Sequence, residues 1–261
     1  MDTYRMPSLH LHRANNPTID EYSAAGGVDF YFTFAFQPIV NASTREIISF
    51  EALVRGPGGE PSAEVFALVP RENLYRFDQA CRLKAIHVAK RLKIDTRLNI
   101  NLFPNAINRT GLNIRGTLQA SLKEGFPVDK IIFEISEAEK LENYPLVIGI
   151  FESYKDFGFK TAIDDFGTGY SGLRMLAEYQ PNFIKLDRNL IADIHQDFVR
   201  QTIVKGIGNI CKQLSIEIIA EGVEIEEEYQ WLREIGINIF QGFYFARPSF
   251  EALIDVQSKL F

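Results

Sequence analysis

Eight short runs rich in branched and aromatic residues alternate with longer helical patterns, and that rhythm most constrains how this 261-residue chain can fold. The runs are Thr33–Val40, Glu46–Val54, Arg97–Leu102, Lys130–Ser136, Lys160–Asp164, Asn182–Leu186, Glu217–Ala220 and Asn238–Gln241. Several are unbroken Ile, Phe, Val and Leu, as strands buried on both faces require. Between them apolar residues return at helical spacing. Examples are Cys81, Ala85, Ala89 and Leu92, then Val147, Ile150, Phe151, Tyr154 and Phe157, then Ile203, Ile207, Ile210, Cys211 and Leu214. Eight strands alternating with helices predict an α/β fold, a (β/α)8 TIM-type barrel rather than an open doubly wound sheet. Only Asn41–Arg45 separate the first two runs, too few residues for a crossover helix. These two are therefore expected to form a hairpin, giving the barrel an antiparallel first strand.

The length suits one such barrel, and 46% hydrophobic residues suffice for its core. Residues 1–28 are polar and read as a loose N-terminal extension, with 29–261 as the folded domain. His10 and His12, in the extension, read as ordinary surface histidines. No apolar run is long enough to span a membrane, and the N-terminus lacks a signal-peptide core. The two cysteines, Cys81 and Cys211, form no CxxC pair. They read as buried free thiols, and a cytoplasmic location is expected. A net charge of −6 offers no general field for a nucleic-acid polymer. An anionic substrate would need a local cationic device, and a metal ion held by surplus carboxylates is the obvious one.

Polar residues recur where barrel strands should end. Glu51, Asn101, Glu134, the pair Asp164–Asp165, Lys185, Glu221 and Gln241 each follow an apolar stretch. In a barrel these points converge on one rim, where active sites sit. Five carboxylates there would repel one another and push their pKa values up unless hard cations neutralise them. Carboxylates with an amide oxygen suit Mg²⁺ or Mn²⁺; the set has no Cys or His for Zn²⁺. Five negative charges match two divalent ions plus Lys185, and the adjacent aspartates suit a two-metal clamp for displacement at phosphorus.

Glu51-Ala52-Leu53 is the signature of the EAL-domain cyclic di-GMP phosphodiesterases, and the chain resembles that family well beyond it. The resemblance covers Gln37–Val40, Glu51–Arg55, Asn99–Leu102, Phe133–Glu137, Asp164–Leu173, Ile184–Asp187, Ala220–Glu224 and Gln241–Pro248, in order. It implies a (β/α)8 barrel and hydrolysis of one phosphodiester bond of cyclic di-GMP, giving linear pGpG. By the same resemblance Glu51, Asn101, Glu134 and Asp164 would hold the first metal, and Asp164, Asp165 and Glu221 the second. Lys185 would hold and help deprotonate the attacking water, with Glu51 and Glu221 beside it. Gln241 would bond water or ligand near the metals. Gln37, Arg55, Asp78, Asp187 and Pro248 complete the expected substrate contacts. Arg55 lies on the same strand face as Glu51 and suits a phosphate oxygen, with a structural ion pair as the alternative. Asp78 resembles a guanine contact, with a helix N-cap as the alternative. Glu137, Gly167, Gly169 and Glu224 are expected to position the loop Phe166–Ser171.

Gly167, Gly169 and Gly172 also spell a dinucleotide fingerprint, but two carboxylates precede it and would face the pyrophosphate. After Arg55 the chain runs Gly56-Pro57-Gly58-Gly59, where many relatives carry Trp and a longer segment. This resembles the blue-light-receptor variant of the family. Two other readings are a receptor that binds cyclic di-GMP without turnover and an enolase-type lyase with Lys185 as base. A homodimer and a regulatory protein partner are expected, Ca²⁺ is expected to inhibit, and Lys185→Met is expected to lower turnover while the melting temperature holds.

Overall fold

The computed structural model describes residues 19–103, 112–137, 144–169 and 172–254. His10, His12, the first part of the extension, and the loop residues Tyr170 and Ser171 lie outside them.

The chain folds as a closed barrel. Strands β1 (Thr33–Asn41), β2 (Glu46–Arg55), β3 (Arg97–Asn101), β4 (Ile131–Ser136), β5 (Lys160–Phe166), β6 (Phe183–Leu186), β7 (Glu217–Ala220) and β8 (Ile239–Phe240) pair in that order. β1 closes the ring by pairing antiparallel with both β2 and β8, and β2 through β8 run parallel. The β1–β2 turn is held at Asn41, whose side-chain oxygen accepts from the amides of Ser43 and Thr44. A ninth strand, β9 (Ser249–Phe250), pairs with β1 at Ala35 and Phe36. No sequence expectation covered it, because two residues carry no periodicity.

Helices α1 (Glu21–Gly26), α2 (Ser62–Ala67), α3 (Leu74–Arg91), α4 (Leu112–Glu124), α5 (Tyr144–Asp156), α6 (Gly172–Glu178), α7 (Arg188–Ile191), α8 (Phe198–Leu214) and α9 (Glu226–Glu234) surround the strands. The extension is not loose throughout. Asp20 caps α1 by accepting from the Ser23 amide and binds Lys84 Nζ on α3. Ser23, Gly26 and Val28 are buried.

Pleating sorts the core into two layers. Outward side chains meet the helices: Phe77, Ala85 and Ile86 of α3 and Phe151 and Tyr154 of α5 pack on the Phe50, Phe133 and Ile163 side. Inward side chains form a separate cluster of Ile39, Ile132, Ala162, Phe183, Ile219 and Ile239. Two apolar expectations fail in detail. Phe157 lies past the end of α5 and is 44% exposed. On α8 the periodic residues Ile203, Ile210 and Leu214 are 38–44% exposed, and Val204 and Cys211 form the buried face. Both cysteines are buried and free, and no helix among the described residues is long and apolar enough to cross a membrane.

Candidate metal centre at the barrel rim

The inner apolar cluster fixes where the polar residues fall. Ile132, Ala162, Phe183, Ile219 and Ile239 each stand two residues before Glu134, Asp164, Lys185, Glu221 and Gln241. With a side-chain period of two, those five project inward one layer above the apolar plug. β1 runs the other way, so its inward residue at that height, Gln37, precedes Ile39.

Lys185, fully buried, sits at the centre. Its Nζ lies 3.1 Å from Glu51 Oε2, 3.2 Å from Glu134 Oε2, 3.0 Å from Asp164 Oδ1 and 3.4 Å from Glu221 Oε2. Burial alone would push its pKa down; the surrounding Asp164, Glu134, Glu221 and Glu51 outweigh that and hold it well above the usual lysine value. Burial pushes the Glu134 carboxyl up to about 8, with Lys185 opposing and Glu51 and Asp164 adding to the rise. Burial likewise raises Glu221 well above the carboxylate range, and burial followed by Asp164 raises Asp165.

Adjacent residues on a regular strand face opposite ways, yet Asp164 and Asp165 both reach this cluster. The β5–β6 register breaks between Ile163 and Phe166, and Asp165 adopts a left-handed φ of 53°. Ser136 Oγ donates to Asp165 Oδ2 at 2.7 Å and holds that carboxylate in place.

Two sets of carboxylates each converge within ligand distance: Glu51, Glu134 and Asp164, and Asp164, Asp165 and Glu221. Asp164 belongs to both. Five carboxylates against one lysine leave four negative charges when all are ionised, the charge of two divalent cations. Gln241 Oε1 is buried and accepts no hydrogen bond, and Asp164 Oδ1 and Glu221 Oε2 are buried with the shared Lys185 ammonium beside them. Such under-satisfied acceptors, all oxygen, fit hard cations. Asn101 borders the first set, with Nδ2 donating to Glu51 Oε1 at 2.9 Å.

The expected substrate residues divide by accessibility. Arg55, Asp187 and Pro248 are partly exposed. Asp187 caps α7 through the Asn189 amide, and Arg55 donates to the carbonyl of Val54. Gln37 and Gln241 are buried: Gln241 Nε2 donates to Glu51 Oε2 at 2.7 Å and to Gln37 Oε1 at 3.2 Å. Asp78 is no N-cap. It is the fifth residue of α3, 2% exposed, paired with Arg82 at 3.0 Å and accepting from the Phe103 amide.

Glu137 accepts from the Gly167 and Gly172 amides, both at 2.7 Å. A Cβ on Gly169 would lie 2.3 Å from the Glu137 carbonyl oxygen, so these glycines admit Glu137 rather than a phosphate. Glu224 pairs with Arg188 at 3.4 Å. Sequence reasoning missed Asn99, whose Nδ2 donates to Glu134 Oε1 at 2.6 Å while its Oδ1 accepts from Ser49. The signal was present: Ser49, Asn99 and Ser136 stand two residues from Glu51, Asn101 and Glu134, on the same strand faces.

A protein-family model described as EAL domain matches residues 30–248. The blue light- and temperature-regulated antirepressor BluF of Escherichia coli is 32% identical over 244 residues, 93% of this chain and 58% of BluF. The probable cyclic di-GMP phosphodiesterase PdeD of the same organism is 32% identical over 83% of this chain and 41% of PdeD. The chain thus spans roughly half the length of these relatives. A crystal structure of a standalone versatile EAL protein from Vibrio cholerae, bound to c-di-GMP, superposes with a TM-score of 0.86 at 48% identity. That match covers 89% of this chain and 98% of the Vibrio protein.

Proposed function

The chain belongs to the EAL-domain family, and we propose that it hydrolyses one phosphodiester bond of cyclic di-GMP, giving linear pGpG. The observation that carries this reading is the pair of carboxylate sets sharing Asp164 around a buried lysine. Glu51, Asn101, Glu134 and Asp164 would hold one divalent cation, and Asp164, Asp165 and Glu221 the other, with Mg²⁺ or Mn²⁺ suited to the all-oxygen donors. Such a pair polarises the phosphoryl oxygens and lowers the pKa of water.

The chain's own residues would do the rest. Lys185 Nζ, adjacent to both sets, would bond the attacking water. Amid four carboxylates it keeps its proton and would orient the water as a hydrogen-bond donor; to act as the base it would first have to lose that proton to solvent. Glu51 and Glu221 flank it. Arg55, Asp187 and Pro248 are the open positions for direct substrate contact, and Gln37 and Gln241 would fix the Glu51 carboxylate from beneath. Asp78 acts from behind, through the Phe103 backbone. Glu137, with Gly167 and Gly169, would keep the loop after β5 in register with Asp164 and Asp165, and Glu224 would steady the β7 exit through Arg188. We take 29–261 as the catalytic domain with α1 as an ordered lead-in. The buried free thiols agree with a reducing cytoplasm.

Similarity to an antirepressor supports a second reading, binding without turnover. One experiment separates the two: incubation with cyclic di-GMP in Mn²⁺, in EDTA and in Ca²⁺, followed by chromatography. The expected result is pGpG in Mn²⁺ alone. Ca²⁺ takes more ligands at longer distances and would seat substrate without a well-placed water. Substrate bound but uncleaved in Mn²⁺ would establish the receptor reading instead.

A further inference from the structure

We propose that the opposite, N-terminal end of the barrel carries a second site, one for compact multivalent oxyanions of the phosphate class. A cavity of about 350 Å³ opens there, lined by Ile48, Thr96, Arg97, Asp129, Lys130 and Lys160. Arg97, Lys130 and Lys160 stand four residues before Asn101, Glu134 and Asp164 on β3, β4 and β5. Strand pleating turns Arg97 and Lys160 toward the barrel axis, two layers below the carboxylates and ~13 Å from them at 3.3 Å per residue; Lys130, the last residue of the short 3-10 turn before β4, lines the same cavity. The apolar layer containing Ile132, Ala162 and Phe183 lies between the two sites, so the cavity is a dead end.

The three cations are not neutralised. Lys130 Nζ donates to the Asp95 carbonyl, a neutral acceptor. The Arg97 guanidinium lies 5.7 Å from the Phe183 ring centroid, a contact that leaves its charge intact. Among the described residues no carboxylate comes within ion-pair distance of Arg97, Lys130 or Lys160, and Asp129 alone offsets them within the cavity. Glu217, at the matching position of β7, does not line it. A chain of net charge −6 thus gathers three cationic side chains around one cavity. The planar fork of Arg97 and two flexible ammonium groups suit phosphate oxygens.

The test is calorimetric titration of the full chain in EDTA, which keeps the carboxylate rim free of metal-held anions. Inorganic phosphate and AMP are the two probes, with chloride at matched ionic strength as the blank. Saturable one-to-one binding is expected, at least tenfold weaker in Lys160→Gln and in Arg97→Gln, and retained in Lys160→Arg. Both lysine variants should melt as the parent does, since Lys160 is partly exposed and makes no ion pair among the described residues. Tighter binding of AMP than of phosphate identifies a phosphate monoester as the occupant, and equal binding the free anion. No saturable binding, or equal affinity in Lys160→Gln and the parent, overturns the site.

Discussion

Lys185 is fully buried and serves four carboxylates at once, which gives it a structural role beside the catalytic one proposed for it. The sequence expectation that Lys185→Met leaves the melting temperature unchanged therefore needs revision. Removing the ammonium strands buried carboxylates, a loss of about 3–5 kcal/mol when one partner of a buried charge pair goes. We expect a lower melting temperature in EDTA at pH 8, together with turnover reduced by about 10²–10⁴ for loss of a general base. Parallel melting curves and rate assays check both, and unchanged melting would show that the carboxylates simply take up protons. The Asp78–Arg82 pair follows the same logic away from the metals. Arg82 is completely buried and also bonds the Tyr154 hydroxyl at 3.0 Å. Arg82→Met leaves the Asp78 carboxylate unpaired and should destabilise by about 3–5 kcal/mol in chemical denaturation. A loss below 1 kcal/mol would mean that Asp78 is neutral in the folded protein, in line with burial pushing its pKa up.

At the scale of elements, α8 departs most from a simple barrel helix. Val199, Ile203, Ile210 and Leu214 fall on one helical stripe and are all exposed, Val199 by 64%. Phe198 adds a further exposed ring at the helix start. An apolar stripe of this kind on a surface helix is suited to self-association, and we place the expected homodimer there. Ile203→Glu with Ile210→Glu should convert dimer to monomer in sedimentation velocity without lowering the melting temperature of the monomer. A parent chain that is itself monomeric at high micromolar concentration would refute the placement. β5 shows the opposite economy. A bulge and one left-handed residue within seven positions deliver two neighbouring carboxylates to one centre, a geometry a regular strand does not provide.

For the whole molecule, the acid cluster should govern how stability depends on pH. Glu134 titrates at about 8 in the folded protein, above its ordinary value, and Glu221 and Asp165 shift the same way. A raised carboxyl stabilises fully below its unfolded pKa and loses that contribution as pH climbs through the folded value. The metal-free protein should therefore melt lower at pH 9 than at pH 6. Divalent cations need the deprotonated oxygens, so the rise in melting temperature on adding Mn²⁺ should widen over the same interval. A gap independent of pH would separate the cations from these carboxylates. The sequence by itself determined the eight barrel strands though not β9, the antiparallel start, the family and the polar residues at the strand ends, because period-two and helical patterns are local and a barrel sends all strand ends to one rim. It also showed, unread, the polar residues two positions away that orient the ligands. Only the tertiary structure decided how a broken β5 register turns Asp165 toward Asp164, that Lys185 reaches four carboxylates at once, that Asp78 turns inward onto Arg82, and that the α8 stripe faces out. Each of these depends on the partner supplied by a distant strand or helix, and spacing along one chain segment carries no record of that partner.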